Sequence, residues 1–178
     1  MASNHTKLTK ADVYALGRTL IDISNRYPTT FFTERDFYPL VVAYLTGRVP
    51  GLDTEVSVRG GNIDFHMKGT NPTWLELAVQ PRHLMDKHNG EIDFPGHKQK
   101  NSLYPSANSA ELRKLAQPSP VKTRFLLLVD LTGAYDPAGL KKAYDDYSLR
   151  RRPRSPVTVR VIYCTQDAAH DKDFPFKC

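Results

Sequence analysis

Residues 59–82 read RGGNIDFHMKGTNPTWLELAVQPR and contain two segments in which polar and apolar side chains alternate. Segments 62–67 and 73–80 have the period of two that is typical of β-strands, and a Gly-Thr-Asn-Pro turn signal separates them. The alternation places Asp64 on the face opposite its apolar neighbours, Ile63 and Phe65. It likewise places Glu76, Ala78 and Gln80 on the face opposite Leu75, Leu77 and Val79. A hairpin across residues 68–73 therefore brings Asp64 and Glu76 side by side.

Two neighbouring carboxylates repel each other unless a cation or a proton lies between them. Hard oxygen ligands suit Mg²⁺ or Mn²⁺, and a divalent ion held by Asp64 and Glu76 would support phosphodiester chemistry. The alternative is that both carboxylates lie on the solvated face of an antiparallel sheet.

Length and composition limit the class of protein. A chain of 178 residues predicts one domain over residues 1–178, and 40% hydrophobic with 25% charged residues is typical of globular proteins. Neither a signal-peptide core nor an apolar run of about 18 residues occurs, so we expect a soluble, cytoplasmic protein without a membrane partner. Cys164 and Cys178 lack metal-site spacing and are expected to be free thiols.

The net charge of +6 favours a polyanionic partner, and nucleic acid is the expected one, although a basic excess also serves solubility. The basic run at 150–154 precedes the last predicted strand, where phosphates could neutralise it on an exposed loop. The alternative is a solvated cluster at the carboxyl end of a helix. The candidate nucleic-acid-binding residues are Arg150, Arg151, Arg152, Arg154, Lys98 and Lys100.

The rest of the chain predicts a mixed α/β sheet with helices on its faces, in the order αα-βββ-α-β-α-β. Residues 1–8 are expected to be disordered, and 83–106 form a long loop that is functional or disordered. Capping signals, apolar periodicity and breakers predict helices 9–25, 33–46, 108–116 and 137–149, and strands 54–59, 62–67, 73–80, 124–131 and 157–164.

Glu34 lies at the start of the second predicted helix, after Thr33. An acidic residue there is explained by the helix dipole alone. The alternative is that Glu34 leans toward the pair of carboxylates as an outer or third metal ligand.

The order of elements, an Ile-Asp-Phe strand and a glutamate twelve positions later resemble the PD-(D/E)XK nuclease superfamily. The resemblance implies a restriction-endonuclease-like three-layer sandwich, with a mixed central β-sheet flanked by helices. It implies that Asp64 and Glu76 bind Mg²⁺ or Mn²⁺ with the backbone carbonyl of Leu77, and that Glu34 assists. The expected activity is a metal-dependent endonuclease acting on DNA in a bacterial defence or restriction role, as a homodimer or with a partner protein.

The sequence departs from that family at residue 78, where the motif lysine is replaced by Ala78. Either another residue supplies the cation, or the protein only binds nucleic acid, or Ala78 is an inactivating substitution. The candidates for a replacement are Lys114, because the helix after the third strand commonly packs beside the site in this family, and Gln80 and Arg82, which share the Glu76 face if the strand continues past Pro81. The alternative function is a catalytically inactive nucleic-acid-binding or assembly subunit of the same fold.

Overall fold

The computed structural model describes residues 7–31, 33–86, 90–93, 101–149 and 156–178, with backbone alone for residues 83–86 and 90–93. A six-stranded mixed sheet in the order β1-β2-β3-β6-β7-β8 forms its centre, and β4 and β5 form a separate two-stranded sheet. The strands are β1 Leu52–Val58, β2 Gly61–Met67, β3 Thr73–Gln80, β4 His83–Asp86, β5 Gly90–Asp93, β6 Thr123–Asp130, β7 Thr158–Cys164 and β8 Lys172–Lys177.

The sheet has a parallel centre and antiparallel edges. The neighbouring strands β3, β6 and β7 run parallel, whereas β1 and β2 on one side and β8 on the other pair antiparallel. All eight residues of β3 are buried, as are the last seven of β6. Helices on both faces explain this burial, because the parallel centre of a sheet is covered twice.

Two apolar clusters lie on opposite faces of the sheet and give three layers. One contains residues of the first two helices together with Leu75, Leu77 and Val79 of β3, and the other contains residues of the last two helices with Trp74 and Ala78. The helices are α1 Lys10–Arg26, α2 Tyr38–Thr46, α3 Ser109–Leu115 and α4 Pro137–Asp146. The predicted mixed α/β architecture is confirmed at this level. None of the helices in the described part of the chain is long and apolar enough to cross a bilayer.

The predicted helix starts differ in detail from the observed ones. Thr9 and Asp12 form a reciprocal capping box at α1, as the sequence indicates. At the second signal, Thr33 opens a four-residue 3-10 turn, Glu34–Phe37, and α2 begins only after it. Pro39 lies in the first turn of α2, where no hydrogen bond to its nitrogen is needed.

Four features differ from the sequence-based expectations. The strands β4 and β5 lie within the predicted loop 83–106, and β8 follows the strand that we expected to be the last. Leu8, in the segment expected to be disordered, is 2% exposed and packs in the α1 cluster. The helix predicted to reach Leu149 ends at Asp146.

Candidate functional site

The pairing of β2 with β3 stops at the two carboxylates. Phe65 pairs with Leu75, and the same register continued by one residue would pair Asp64 with Glu76. Instead, the Leu77 N–H donates to Asp64 Oδ2 at 2.9 Å. The Asp64 side chain thus takes the place of a backbone acceptor where the two strands separate. Because the N–H and C=O of one strand residue point to the same side, the Leu77 carbonyl also faces this gap.

The predicted alternation in β2 is wrong at Ile63. Ile63 packs in the cluster of α3 and α4, whereas Phe65 packs in the cluster of α1 and α2, although regular alternation would put both on one face. Glu55 of β1, opposite Asp64, has a left-handed φ of 52°, and the regular pairs resume on either side of it. The face change in β2 thus coincides with an irregular residue in the neighbouring strand.

Glu76 is fully buried and contacts a lysine of α3. Lys114 Nζ of α3 lies 2.7 Å from Glu76 Oε2 and donates to the Asn62 carbonyl at 2.8 Å. Glu76 is 0% exposed and the Lys114 side chain 12%. The solvated-face interpretation is therefore wrong for Glu76. Lys114 joins β2 and β3 across the gap between them.

Glu34 reaches the same region from the 3-10 turn. The Val79 backbone and the charge of Asp64 both lie close enough to act on its carboxylate. Burial and then the charge of Asp64 raise the pKa of Glu34 to about 7. These contacts with β3 and Asp64 go beyond what a helix-dipole role requires.

Tyr38 also belongs to the polar cluster that Asp64, Glu76, Glu34 and Lys114 form, and the sequence did not predict it there. Its ring packs on Phe65 at 5.0 Å between centroids, and its hydroxyl is close enough to Asp64 for the two groups to interact. Burial, followed by this interaction, raises the pKa of the Tyr38 hydroxyl well above its usual value, so the hydroxyl stays protonated. The spacing of four residues from Glu34 was the available signal, because it places both on one side of a helical segment.

The cluster has more acidic than basic groups. Burial, followed by the charge of Asp64, raises the pKa of Glu76 to about 9, against the opposing effect of Lys114. Burial lowers the pKa of Lys114, but its hydrogen bond to Glu76 and the nearby acidic charges outweigh burial and raise it overall. Three carboxyl groups thus lie around one ammonium group. A proton or a further cation has to compensate the remaining charge.

A divalent cation fits this arrangement because one buried carboxylate oxygen lacks a partner. Glu76 Oε1 is buried and has no hydrogen-bond partner among the described residues. A buried carboxylate oxygen without a partner is costly unless a cation or proton satisfies it. The described residues contain no group of three or more His, Cys, Asp or Glu side chains arranged to hold an ion. The donors that fit a cation here are therefore two carboxylates, Glu76 through Oε1 and Asp64, together with the Leu77 carbonyl.

The other candidates for the missing lysine lie elsewhere. Gln80 is four residues, or about 13 Å, along the strand from Glu76. Its amide oxygen accepts from Ser102 and, at 3.2 Å, from Tyr135. Arg82 donates through Nε to the Leu131 carbonyl at 2.8 Å and also contacts Asn25. Neither side chain reaches Glu76, so of the three proposed replacements the structure brings only Lys114 to the site.

The predicted nucleic-acid contacts lie outside the described residues. This applies to all six of them: Arg150, Arg151, Arg152, Arg154, Lys98 and Lys100.

Comparison with known proteins gives no assignment. No protein-family model matches the chain, and no curated protein sequence matches it significantly. The resemblance to the PD-(D/E)XK superfamily stays a prediction.

Proposed function

We propose that the protein is a divalent-metal-dependent nuclease that hydrolyses phosphodiester bonds in DNA, with a restriction-endonuclease-like fold. The observation that carries this proposal is the carboxylate pair at the divergence of β2 and β3, with Glu76 Oε1 unpartnered and Lys114 in contact with Oε2. Mg²⁺ or Mn²⁺ would be held by Asp64, Glu76 and the Leu77 carbonyl. A role in bacterial defence or restriction belongs to the same proposal.

The protein's own residues position the carboxylates that would bind the ion. The Leu77 N–H donates a hydrogen bond to Asp64, and the Tyr38 hydroxyl lies beside the same carboxylate, which holds it in the gap. Glu34 adds a third carboxyl group beside Asp64. A bound divalent ion supplies charge neutralisation at the phosphate and lowers the pKa of a bound water.

Lys114 takes the role that the motif lysine has in the resemblance. Its ammonium group is raised in pKa and so stays charged at neutral pH, and it is oriented by two acceptors on different strands. A charged donor held in this way can orient an attacking water and stabilise negative charge that develops on the phosphate. Its origin on α3 makes a lysine at position 78 unnecessary.

The proposal is tested with an isosteric double variant, Asp64→Asn/Glu76→Gln. Titration calorimetry with Mn²⁺ and plasmid nicking are measured for the wild type, this variant and Asp53→Asn, an exposed strand carboxylate that pairs with Lys68. We expect the double variant to lose both Mn²⁺ binding and nicking while the control keeps both. Nicking that persists in the double variant would refute the proposal.

A second candidate function is nucleic-acid binding without cleavage. The observation in its favour is that Lys114 already satisfies Glu76 Oε2 without any ion. This function would give salt-sensitive DNA binding that needs no divalent ion and does not respond to Glu76→Gln. The same measurements, with DNA binding added, separate the two functions.

A further inference from the structure

A second cationic feature lies at the end of the sheet where β6 and β7 begin. An open cavity of about 470 Å³ is lined there by residues before and at the start of α1, at the start of β6 and at the start of β7. Its volume is in the range of small-molecule sites. Its cationic lining residues are Lys7, Lys10, Lys122, Arg124 and Arg160.

The positive charge of the cavity is only partly compensated. Asp173 forms ion pairs with both Lys10, at 3.2 Å, and Arg160, at 2.9 Å, so two cations share one carboxylate. Lys7 and Lys122 have no ion pair with the described residues. The cavity therefore keeps a strong positive excess.

Arg124 gives this excess a fixed, buried component. It is 5% exposed, and its guanidinium donates to backbone carbonyls, among them those of Val121 at 2.9 Å and Gln117 at 2.8 Å. These acceptors satisfy its N–H groups, and the guanidinium lies over the Trp74 ring, 5.1 Å from the ring centroid. Arg124 therefore adds long-range positive charge to the cavity, and the exposed Lys7 and Lys122 are the lining cations that can contact an anion directly.

The start of α1 adds polarity of the same sign. Thr9 caps this 17-residue helix and also lines the cavity. The helix dipole places partial positive charge at this end. Asp12 does not line the cavity, but its carboxylate accepts from the Thr9 N–H at 2.8 Å in the capping box and offsets part of this charge.

We propose that this cavity binds phosphate groups, either those along a nucleic-acid strand or those of a free phosphate compound. Lysine and arginine are the residues that bind phosphate oxygens, through charge-assisted hydrogen bonds. The proposal does not depend on the Asp64 and Glu76 cluster, and it holds whether or not that cluster cleaves.

The test compares two charge-matched double variants in EDTA, so that metal-dependent chemistry does not contribute. Lys7→Gln/Lys122→Gln removes two exposed lysines from the cavity, and Lys141→Gln/Lys142→Gln removes two exposed lysines from α4. The probes are a fluorescent single-stranded DNA oligonucleotide, titrated at several salt concentrations, and inorganic pyrophosphate, titrated by calorimetry. Thermal melting checks that each variant is folded.

We expect the cavity variant to bind at least one probe about tenfold more weakly. If that probe is the oligonucleotide, the slope of the logarithm of the binding constant against the logarithm of the salt concentration should decrease by about 1 to 2 units in this variant. The α4 variant should stay within about twofold of the wild type. Loss for the oligonucleotide alone identifies strand phosphates as the ligand, and loss for pyrophosphate identifies a free phosphate compound. The proposal is overturned if neither probe binds at low salt, or if both variants weaken binding equally.

A third variant provides an effect of opposite sign. Asp173→Asn removes the carboxylate shared by Lys10 and Arg160 and so releases two cations toward the cavity. Affinity for the probe that binds should then rise several-fold, with a steeper salt dependence for DNA. Unchanged or weaker binding by this variant, when it is folded, would also contradict the proposal.

Discussion

Lys114 on α3 contacts Glu76 on β3 across 38 residues of sequence, with 2.7 Å between Nζ and Oε2. The same ammonium group donates to the Asn62 carbonyl of β2. Ala78, two residues after Glu76, is 5% exposed and packs in the apolar cluster on the α3 side. The lysine that contacts Glu76 thus comes from α3, and the small side chain of Ala78 packs in the apolar cluster beside that helix.

The first prediction concerns Lys114→Gln. If Lys114 stabilises charge at the phosphate, the rate of plasmid nicking by this variant should be lower by a factor of about 100 or more. Mn²⁺ binding should be kept or strengthened, because the competing ammonium group has left Glu76. Nicking rates and Mn²⁺ calorimetry measure the two effects separately.

Arg113→Gln is the matched control, since the Arg113 side chain is exposed on the same helix and donates to the Ser109 carbonyl. It should nick at the wild-type rate. Equal nicking by the Lys114 and Arg113 variants would contradict the role of Lys114.

The sequence was informative where local signals and burial agree. The hairpin of β2 and β3 and the buried strand β6 follow from short-range alternation and apolar runs, and the α1 capping box follows from Thr9 and Asp12. The face change at Ile63 could not be predicted in this way. It coincides with the left-handed conformation of Glu55 in the neighbouring strand, and glutamate does not signal a positive φ.

The strand β8 was missed for a related reason. Pro175 lies in it, and proline argues against a central strand but is tolerated at a sheet edge, where β8 lies. Its alternating burial, with Phe174 and Phe176 inward, was the usable signal. The sequence favoured Lys114 narrowly, because the helix after the third strand commonly packs beside the site in the family that the chain resembles. Excluding Gln80 and Arg82 required the tertiary structure.

The second prediction concerns the pH dependence of stability without metal. The pKa values of Glu34 and Glu76 are raised to about 7 and about 9, above the usual value near 4.3 for an unfolded chain. The folded protein therefore binds more protons than the unfolded chain between about pH 4.3 and these raised values. The contribution of the two groups to the free energy of unfolding is full below about pH 4.3 and decreases until the pH has passed 7 for Glu34 and 9 for Glu76.

Urea denaturation in EDTA at several pH values measures this decrease, which each group limits to about 1.4 kcal/mol per pH unit. Glu76→Gln and Glu34→Gln should each make the profile flatter, whereas Asp53→Asn should not. An unchanged slope in both glutamine variants would show that these carboxyl groups do not carry the effect.

The third prediction separates Arg82 from the site. Arg82→Gln removes a donor to the Leu131 carbonyl and a contact to Asn25, so it should lower the free energy of unfolding by about 1 kcal/mol. Mn²⁺ affinity should stay within about twofold of the wild type, because the side chain does not reach Glu76. A large loss of Mn²⁺ affinity at unchanged stability would show the opposite.

The fourth prediction concerns the contact between α1 and β7. A Cβ at Gly17 would lie 2.5 Å from Cys164 Sγ, closer than non-bonded atoms approach, and at a tight 3.0 Å from Cys164 Cβ. Gly17→Ala should therefore cost about 1 to 3 kcal/mol of unfolding free energy, despite the better helix propensity of alanine. Gly47→Ala is the control, since no atom lies within 4 Å there. Adding Cys164→Ala should recover part of the loss in a double-mutant cycle measured by urea denaturation. If Gly17→Ala is as stable as Gly47→Ala, the helix does not approach the strand this closely.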